Sequence, residues 1–292
     1  MMIKIDGNEV ALQPGQSLLE LVQSLSLDSL RLSDRPLAAK IAGEVFTLNY
    51  IPLREKDMTR TGTRAAMAAS DGTVKLLRYT DGAGKELYTR TAEFVVFLAI
   101  ERLWPNAKAK IHCTIGSGLF FELEKGPDYS LERLEAEIRK IIAADIPLLR
   151  NRTTTNEAME YFASHGRMDK SRLLSYRKAP YFDWYVYEDF KDYYYGEMAP
   201  STGYLTVWRL LDADGGFVFV LPDDRDPDRV APYSDSPQFF QVFTEGQRWC
   251  ELRECENVAD LNALVRSGGI RELIRVNEAL HEKRYAQVAD MV

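Results

Sequence analysis

The run DGAGKE, residues 81–86, sets two glycines and a lysine close together, the composition of a loop that cradles phosphate. A phosphate loop needs the spacing GxxxxGK[ST], with backbone amides and the lysine on phosphate oxygens and the hydroxyl on magnesium. Tyr79 stands at the first glycine and Glu86 at the hydroxyl. The run therefore reads as a hairpin or domain-joining turn. The histidines are His112, His165 and His281, expected on a strand, at a helix end and in the last helix, and they form no ligand spacing. The cysteines Cys113, Cys250 and Cys255 make no disulfide framework, and CELREC, with four residues between its thiols, is not a zinc-ribbon spacing. The acidic run PDDRDPDR, residues 222–229, has the oxygen ligands that magnesium takes, but its interleaved Arg and Pro suit a solvated loop. CTIGSG lacks the nucleophile-elbow pattern, which leaves Ser117 as a turn residue. Tyr181, Tyr185, Tyr187, Tyr193, Tyr194, Tyr195 and Tyr204 crowd one region. Tyrosines in a cleft stack on bases, whereas alternation along strands sends about half of them into a core. Both readings stay open at this point.

The elements that would position these residues follow from composition and pattern. A chain of 292 residues exceeds the ~250 at which single cores stop growing, so more than one compact unit is expected. The net charge of -7 argues against generic attraction to polyanions, which rests on Lys and Arg neutralising phosphates. Residues 1–75 are balanced, so the deficit lies beyond them and an RNA contact by the first segment remains open. No apolar run reaches the ~20 residues that span a bilayer, and MMIKIDGNEV has no signal-peptide core, so a cytoplasmic location without membrane partners is expected.

Short strands are expected at IKI and around Glu9 to Leu12, then a helix capped by Ser17 and Glu20, then strands in LAAKIAGEVFTLN and VKLLRYT. That order in about eighty residues suggests a small β-grasp. A helix from about Leu87 to Trp104 ends at Pro105, and IHCTI, GLFFEL and IPLLRNRT read as strands. Ser130 opens an amphipathic helix, Thr154 with Glu157 caps another, and aromatic strands such as WYVYEDF lead into DYYYGEMAPSTGYL. The mixed order predicts an α+β protein. From Ile270 onward the chain carries no glycine or proline, and Ile270, Leu273, Ile274, Leu280 and Val288 give a partly apolar helical face.

These stretches carry a resemblance. Residues 1–80 resemble a TGS domain, and ELYTRTAEFVVFLAIERLWPNAKAKIHCTIGSGLFFEL resembles the start of the editing domain of threonyl-tRNA synthetases. YYYGEMAPSTGYL resembles the strand and loop that carry the second half of that family's metal site. The resemblance implies a threonyl/alanyl-tRNA synthetase second-additional-domain-like module over residues 84–265. The family places HxxxH on the long helix and CxxxH in the later loop. Here Arg90 and Phe94 stand at the first pair and Tyr194 and Met198 at the second. A guanidinium, a phenyl ring, a phenol and a thioether do not assemble a zinc site. The expectation is a degenerate former metal site with no metal and no catalytic residue, its cleft suited to an anion bearing an aromatic group.

The closing stretch, DLNALVRSGGIRELIRVNEALHEKRYAQVADMV, resembles the linker that precedes the catalytic domain in a bacterial uridine kinase or phosphoribulokinase-like family. That resemblance implies a connector helix over residues 266–292 and a non-catalytic regulatory or ligand-binding role beside a kinase domain in cis. ATP and magnesium would belong to that absent domain, with a nucleoside or nucleotide as a ligand and a homo-oligomer as an expected assembly. A metal-independent aminoacyl-tRNA editing hydrolase, or an RNA- or ribosome-binding adaptor acting through the TGS unit, is the alternative.

Overall fold

The structure is a computed structural model describing residues 2–52, 72–105, 107–123, 126, 128–234 and 236–291. Residues 53–71 of the expected first domain and Val292 of the expected connector lie outside these. The chain divides into two compact units, residues 1–151 with 184–235, and residues 152–183 with 236–292.

The first unit begins with β1 (Met2–Ile5), β2 (Asn8–Ala11), α1 (Leu18–Ser24), β3 (Ala38–Ile41), β4 (Glu44–Thr47) and β5 (Thr73–Leu77). They form a five-stranded sheet in the order β2-β1-β5-β3-β4, with β1 and β5 parallel and the other pairs antiparallel. Asp6 and Gly7 both have positive φ, the conformation a two-residue hairpin needs, which is why Asp-Gly closes β1 onto β2. Alternation in β1 sends Ile3 and Ile5 inward onto Leu18, Leu21 and Val22 of α1. Ser17 and Glu20 complete the capping box that starts this helix.

The same unit continues with α2 (Gly82–Leu103), β6 (Ala109–Ile115), β7 (Gly118–Leu123) and α3 (Leu131–Ala143). Leu87, Tyr88, Phe94, Val95, Leu98 and Ile100 are buried around α2, so this helix runs through the core and not along the surface. DGAGKE is no hairpin or joining turn, because α2 starts inside it. Asp81 sits at the N-cap, and its carboxylate accepts from the backbone amide of Arg78. Gly84 brings the helix against the preceding strand end, where a Cβ would fall 1.9 Å from the Arg78 carbonyl oxygen. Close approach, not phosphate binding, accounts for that glycine.

Further along come β8 (Arg150–Thr154), α4 (Thr155–Ser164), α5 (Met168–Leu174), β9 (Tyr181–Tyr187), β10 (Phe190–Asp192), β11 (Arg209–Ala213) and β12 (Gly216–Val220). A four-stranded antiparallel sheet runs β11-β12-β7-β6, its aromatic centre marked by Phe121 stacked on Phe217 at 5.1 Å. IPLLRNRT is only half a strand. Pro147 makes an isolated bridge to Ser201, and the Leu148 amide donates to the Pro200 carbonyl, tying this segment to the loop after β10. Mixed strands and helices in this order make the protein α+β.

The second unit contains α4, α5, α6 (Pro237–Leu252), α7 (Val258–Ser267) and α8 (Ile270–Ala289). Thr154 with Glu157 and Asn257 with Asp260 cap α4 and α7 in the same reciprocal way. No residue of α8 is buried. Among the described residues no helix is long and apolar enough to cross a membrane.

Candidate functional site

Of the four positions singled out on sequence, all in the first unit, Phe94 packs against Tyr194, and Arg90 reaches Gly196 and Glu197, which lie in the chain between Tyr194 and Met198. Arg90 and Phe94 lie one turn apart on α2, and Tyr194 and Met198 lie in the segment after β10. The Arg90 side chain is only 18% exposed, and its Nε donates to the Glu197 carbonyl oxygen at 3.0 Å. Gly196 passes over the guanidinium with φ +140°, and a Cβ there would sit 2.7 Å from Arg90 Cζ. Phe94 is fully buried, edge-on to Phe190 at 5.3 Å and to Tyr194 at 6.3 Å. Met198 is likewise fully buried, between Glu197, held by Arg90, and Ala199, whose amide donates to Thr91 Oγ1 at 2.9 Å. Thr91 in turn donates to the Leu87 carbonyl, so its hydroxyl is used on both sides.

A zinc ion does not fit this set, since Arg90 is a permanent cation and Phe94 offers no lone pair. Among the described residues no group of three or more His, Cys, Asp and Glu has a metal-binding arrangement.

Two carboxyls beside these residues were not picked out from the sequence. Glu93 lies on α2 between Arg90 and Phe94, partly buried, and burial pushes its carboxyl up to about 7, with Arg90 opposing and the charge of Asp192 adding. Asp192, at the end of β10, is 2% exposed and accepts from the Tyr193 amide at 2.8 Å. Its burial is a strand-alternation effect, since Phe190 and Asp192 share the inward face of β10. An acidic residue flanked by apolar ones on a buried helix was the signal available for Glu93.

Glu197 links this place to a cavity. Its carboxylate accepts from Arg150 Nη1 at 2.7 Å and from the Tyr185 hydroxyl at 3.3 Å, and burial holds the Tyr185 phenol well above its usual range. Beside it a cavity of 330 Å³ is lined by Asn49, Tyr50, Leu148, Arg150 and Asn151, among others. Asn49 Nδ2 donates to the Pro200 carbonyl at 2.7 Å, closing one wall.

The remaining candidates are structural. Lys85 pairs with Asp224 at 2.6 Å, and Asp228 accepts from Arg31 and from the Ser33 amide and hydroxyl. The acidic run is thus an anchor within the first unit and not a freely solvated loop. His112 lies beside Glu122 at 3.1 Å, and His165 Nδ1 lies 2.8 Å from the Tyr161 carbonyl. Cys113 is buried, and Cys250 and Cys255 are free thiols. Of the tyrosines, Tyr185 and Tyr204 are buried, while Tyr181 and Tyr195 are exposed.

No protein-family model matches the chain. It is 30% identical over 223 residues to a threonine–tRNA ligase of Desulforamulus reducens, a match covering 74% of this chain and 32% of that protein. Threonine–tRNA ligases of Syntrophomonas wolfei and Carboxydothermus hydrogenoformans match at 26% over 216 residues (73% of this chain, 31% of the relative) and 28% over 220 (74% and 32%). Over about three quarters of its length, then, the chain is similar to threonine–tRNA ligases, and it spans about a third of their length.

Proposed function

We propose that this chain acts on the aminoacylated end of a tRNA as a metal-independent editing hydrolase. The similarity to threonine–tRNA ligases supports the substrate class. The observation that carries the chemistry is Glu93, a carboxyl raised to about 7 at the place the resemblance gives to a metal. A general base works best with a pKa near the operating pH. In this reading Glu93, ionised, takes a proton from water as the water oxygen bonds to the ester carbonyl carbon. The bond from that carbon to the ribose oxygen then breaks, and the proton passes from Glu93 to the departing ribose oxygen. Arg90 supplies the positive charge beside the developing oxyanion, and the cavity beside Glu197 offers space for the terminal nucleoside.

The test is release of amino acid from mischarged tRNA by the purified protein with EDTA present. Release should be indifferent to the chelator and fall on the order of 10²-fold or more in Glu93→Gln, the usual scale of a lost acid–base group. One observation favours a second reading. Phe94 and Met198 are fully buried, as in packing and not as in an open catalytic cleft. Absence of release above the buffer rate would leave the non-catalytic regulatory or ligand-binding region of a nucleoside kinase, a setting to which the threonine–tRNA ligase relatives add no support.

A further inference from the structure

The cysteines of CELREC, spaced for no zinc ribbon, stand at the two positions that one kind of helix end brings together. α6 stops at Leu252, Arg253 is its C-cap, and Glu254 takes the left-handed conformation with φ +52°. Beyond it the Cys255 amide donates to the Cys250 carbonyl at 3.0 Å, and the Glu254 amide donates to the Glu251 carbonyl at 3.0 Å. These nested bonds define a Schellman end, in which the side chains of the third residue before the cap and the second after it frequently meet. Here both residues are cysteine. Backbone dimensions and the 3.0 Å bond hold their Cα atoms within about 7 Å of each other. A disulfide spans about 4.4–6.8 Å between Cα atoms, so the pair is placed to close one. Both thiols are free, Cys250 exposed and Cys255 half-buried. Burial, then the charge of Asp260, pushes the Cys255 thiol up, and Cys250 adds to the rise, so the two sulfurs act on each other.

We propose that Cys250 and Cys255 form a thiol–disulfide exchange site for small disulfides of the glutathione class. Exposed Cys250 is the point of entry. Its thiolate bonds to one sulfur of the small disulfide, the S–S bond breaks, and the released thiolate takes up a proton in place of the one Cys250 lost. Cys255, as thiolate, then bonds to the Cys250 sulfur and displaces the second small thiol, which is protonated in turn. Two protein thiols have then lost two electrons and two protons, and the small disulfide has become two thiols. The more strongly protonated Cys255 suits the second step, where its target is already held beside it. Cys113 has no part, since it is buried in β6 of the first unit. Neither Cys250 nor Cys255 enters the hydrolase reading, which rests on Glu93.

The whole chain, reduced and then equilibrated with reduced and oxidised glutathione, tests this. Its intact mass should fall by two hydrogens with no glutathione retained, and one thiol of the three should remain after unfolding. Trypsin cuts after Arg253, so peptides 249–253 and 254–266 should stay joined until reductant is added. Cys255→Ser should stop at the mixed disulfide on Cys250. Cys250→Ser should react at least ~10-fold more slowly, its remaining thiol being half-buried and more basic. Six residues can close a disulfide in a flexible chain too, so the helix end itself needs a test. The equilibrium constant for closure should be at least ~10-fold higher in the folded protein than in urea, about 30 mV. Glu254→Gly, which suits the left-handed position, should keep that advantage, and Glu254→Val, which does not, should lose most of it. Circular dichroism verifies that both variants fold. A persistent mixed disulfide in the wild type, a bond that includes Cys113 or a second chain, equal closure constants with and without urea, or a folded Glu254→Val protein that closes as readily as the wild type would overturn the proposal.

Discussion

Arg90 Nε and the Glu197 carbonyl oxygen, 3.0 Å apart, tie the middle of the core helix to the segment after β10. The contact replaces coordination by a hydrogen bond: a fixed cation reaches backbone oxygen where the resemblance places a metal ligand. Gly196 permits it, because any larger residue would occupy the space of the guanidinium. One turn on, Phe94 fills the interior with a ring and Thr91 takes the Ala199 amide. A segment that a metal would hold is held here by packing and by hydrogen bonds to two side chains of α2, Arg90 and Thr91.

Arg90→Ala should therefore loosen the segment without unfolding the protein. A hydrogen bond from a charged donor contributes about 1.5–3 kcal/mol when buried, and partial exposure puts the expected loss near the lower end. Urea denaturation gives the loss. Protection of amides 194–199 from hydrogen exchange should fall in the same variant, and unchanged protection would refute the tie.

Thr91→Val tests the second tie. The swap preserves shape but leaves the buried Ala199 amide without its acceptor, a change expected to cost about 1–3 kcal/mol. A midpoint within ~0.5 kcal/mol of the wild type would show that Ala199 finds another partner.

Much of the fold was legible because it rests on local rules. Ser17 with Glu20 and Thr154 with Glu157 announce their helices, and each is found where short-range chemistry puts it. The positions of Arg90, Phe94, Tyr194 and Met198 came from resemblance, not from pattern. What could not be read was long-range. DGAGKE looks like a turn until its glycine is seen against the Arg78 carbonyl. The acidic run looks solvated until Asp228 is seen on Arg31 and Ser33, some two hundred residues away in sequence. The environment of Glu93 is likewise set by distant packing, which no spacing encodes.

Gly84→Ala isolates the first of those misreadings. The added Cβ would meet backbone at 1.9 Å, and backbone cannot swing aside as a side chain can. Overpacking of this kind costs typically about 1–3 kcal/mol, and more where the backbone must shift. Thermal unfolding should show a clear drop, whereas Lys85→Ala, at a partly exposed ion pair, should change stability by no more than ~1 kcal/mol. A stable Gly84→Ala protein would return the glycine to a functional role.

The last prediction concerns Glu93 and pH. Its folded pKa of about 7 lies above the ordinary 4.5 of an unfolded glutamate, because burial disfavours the charged form. Below pH 4.5 the carboxyl is protonated in both states and its full contribution to stability is present. As pH rises, the unfolded chain releases the proton first while the folded one keeps it until about 7, so stability falls across that window. A shift of this size corresponds to an upper bound on the order of 3 kcal/mol. Arg90 opposes the effect and Asp192 strengthens it, so both stay in place for the comparison. Glu93→Gln keeps the shape and is neutral throughout. Urea midpoints at pH 5, 6, 7 and 8 should therefore fall for the wild type relative to Glu93→Gln, with most of the difference developing by pH 7. Parallel profiles would mean that Glu93 keeps an ordinary carboxyl pKa in the folded protein, and would remove the raised basicity on which the metal-free hydrolysis reading rests.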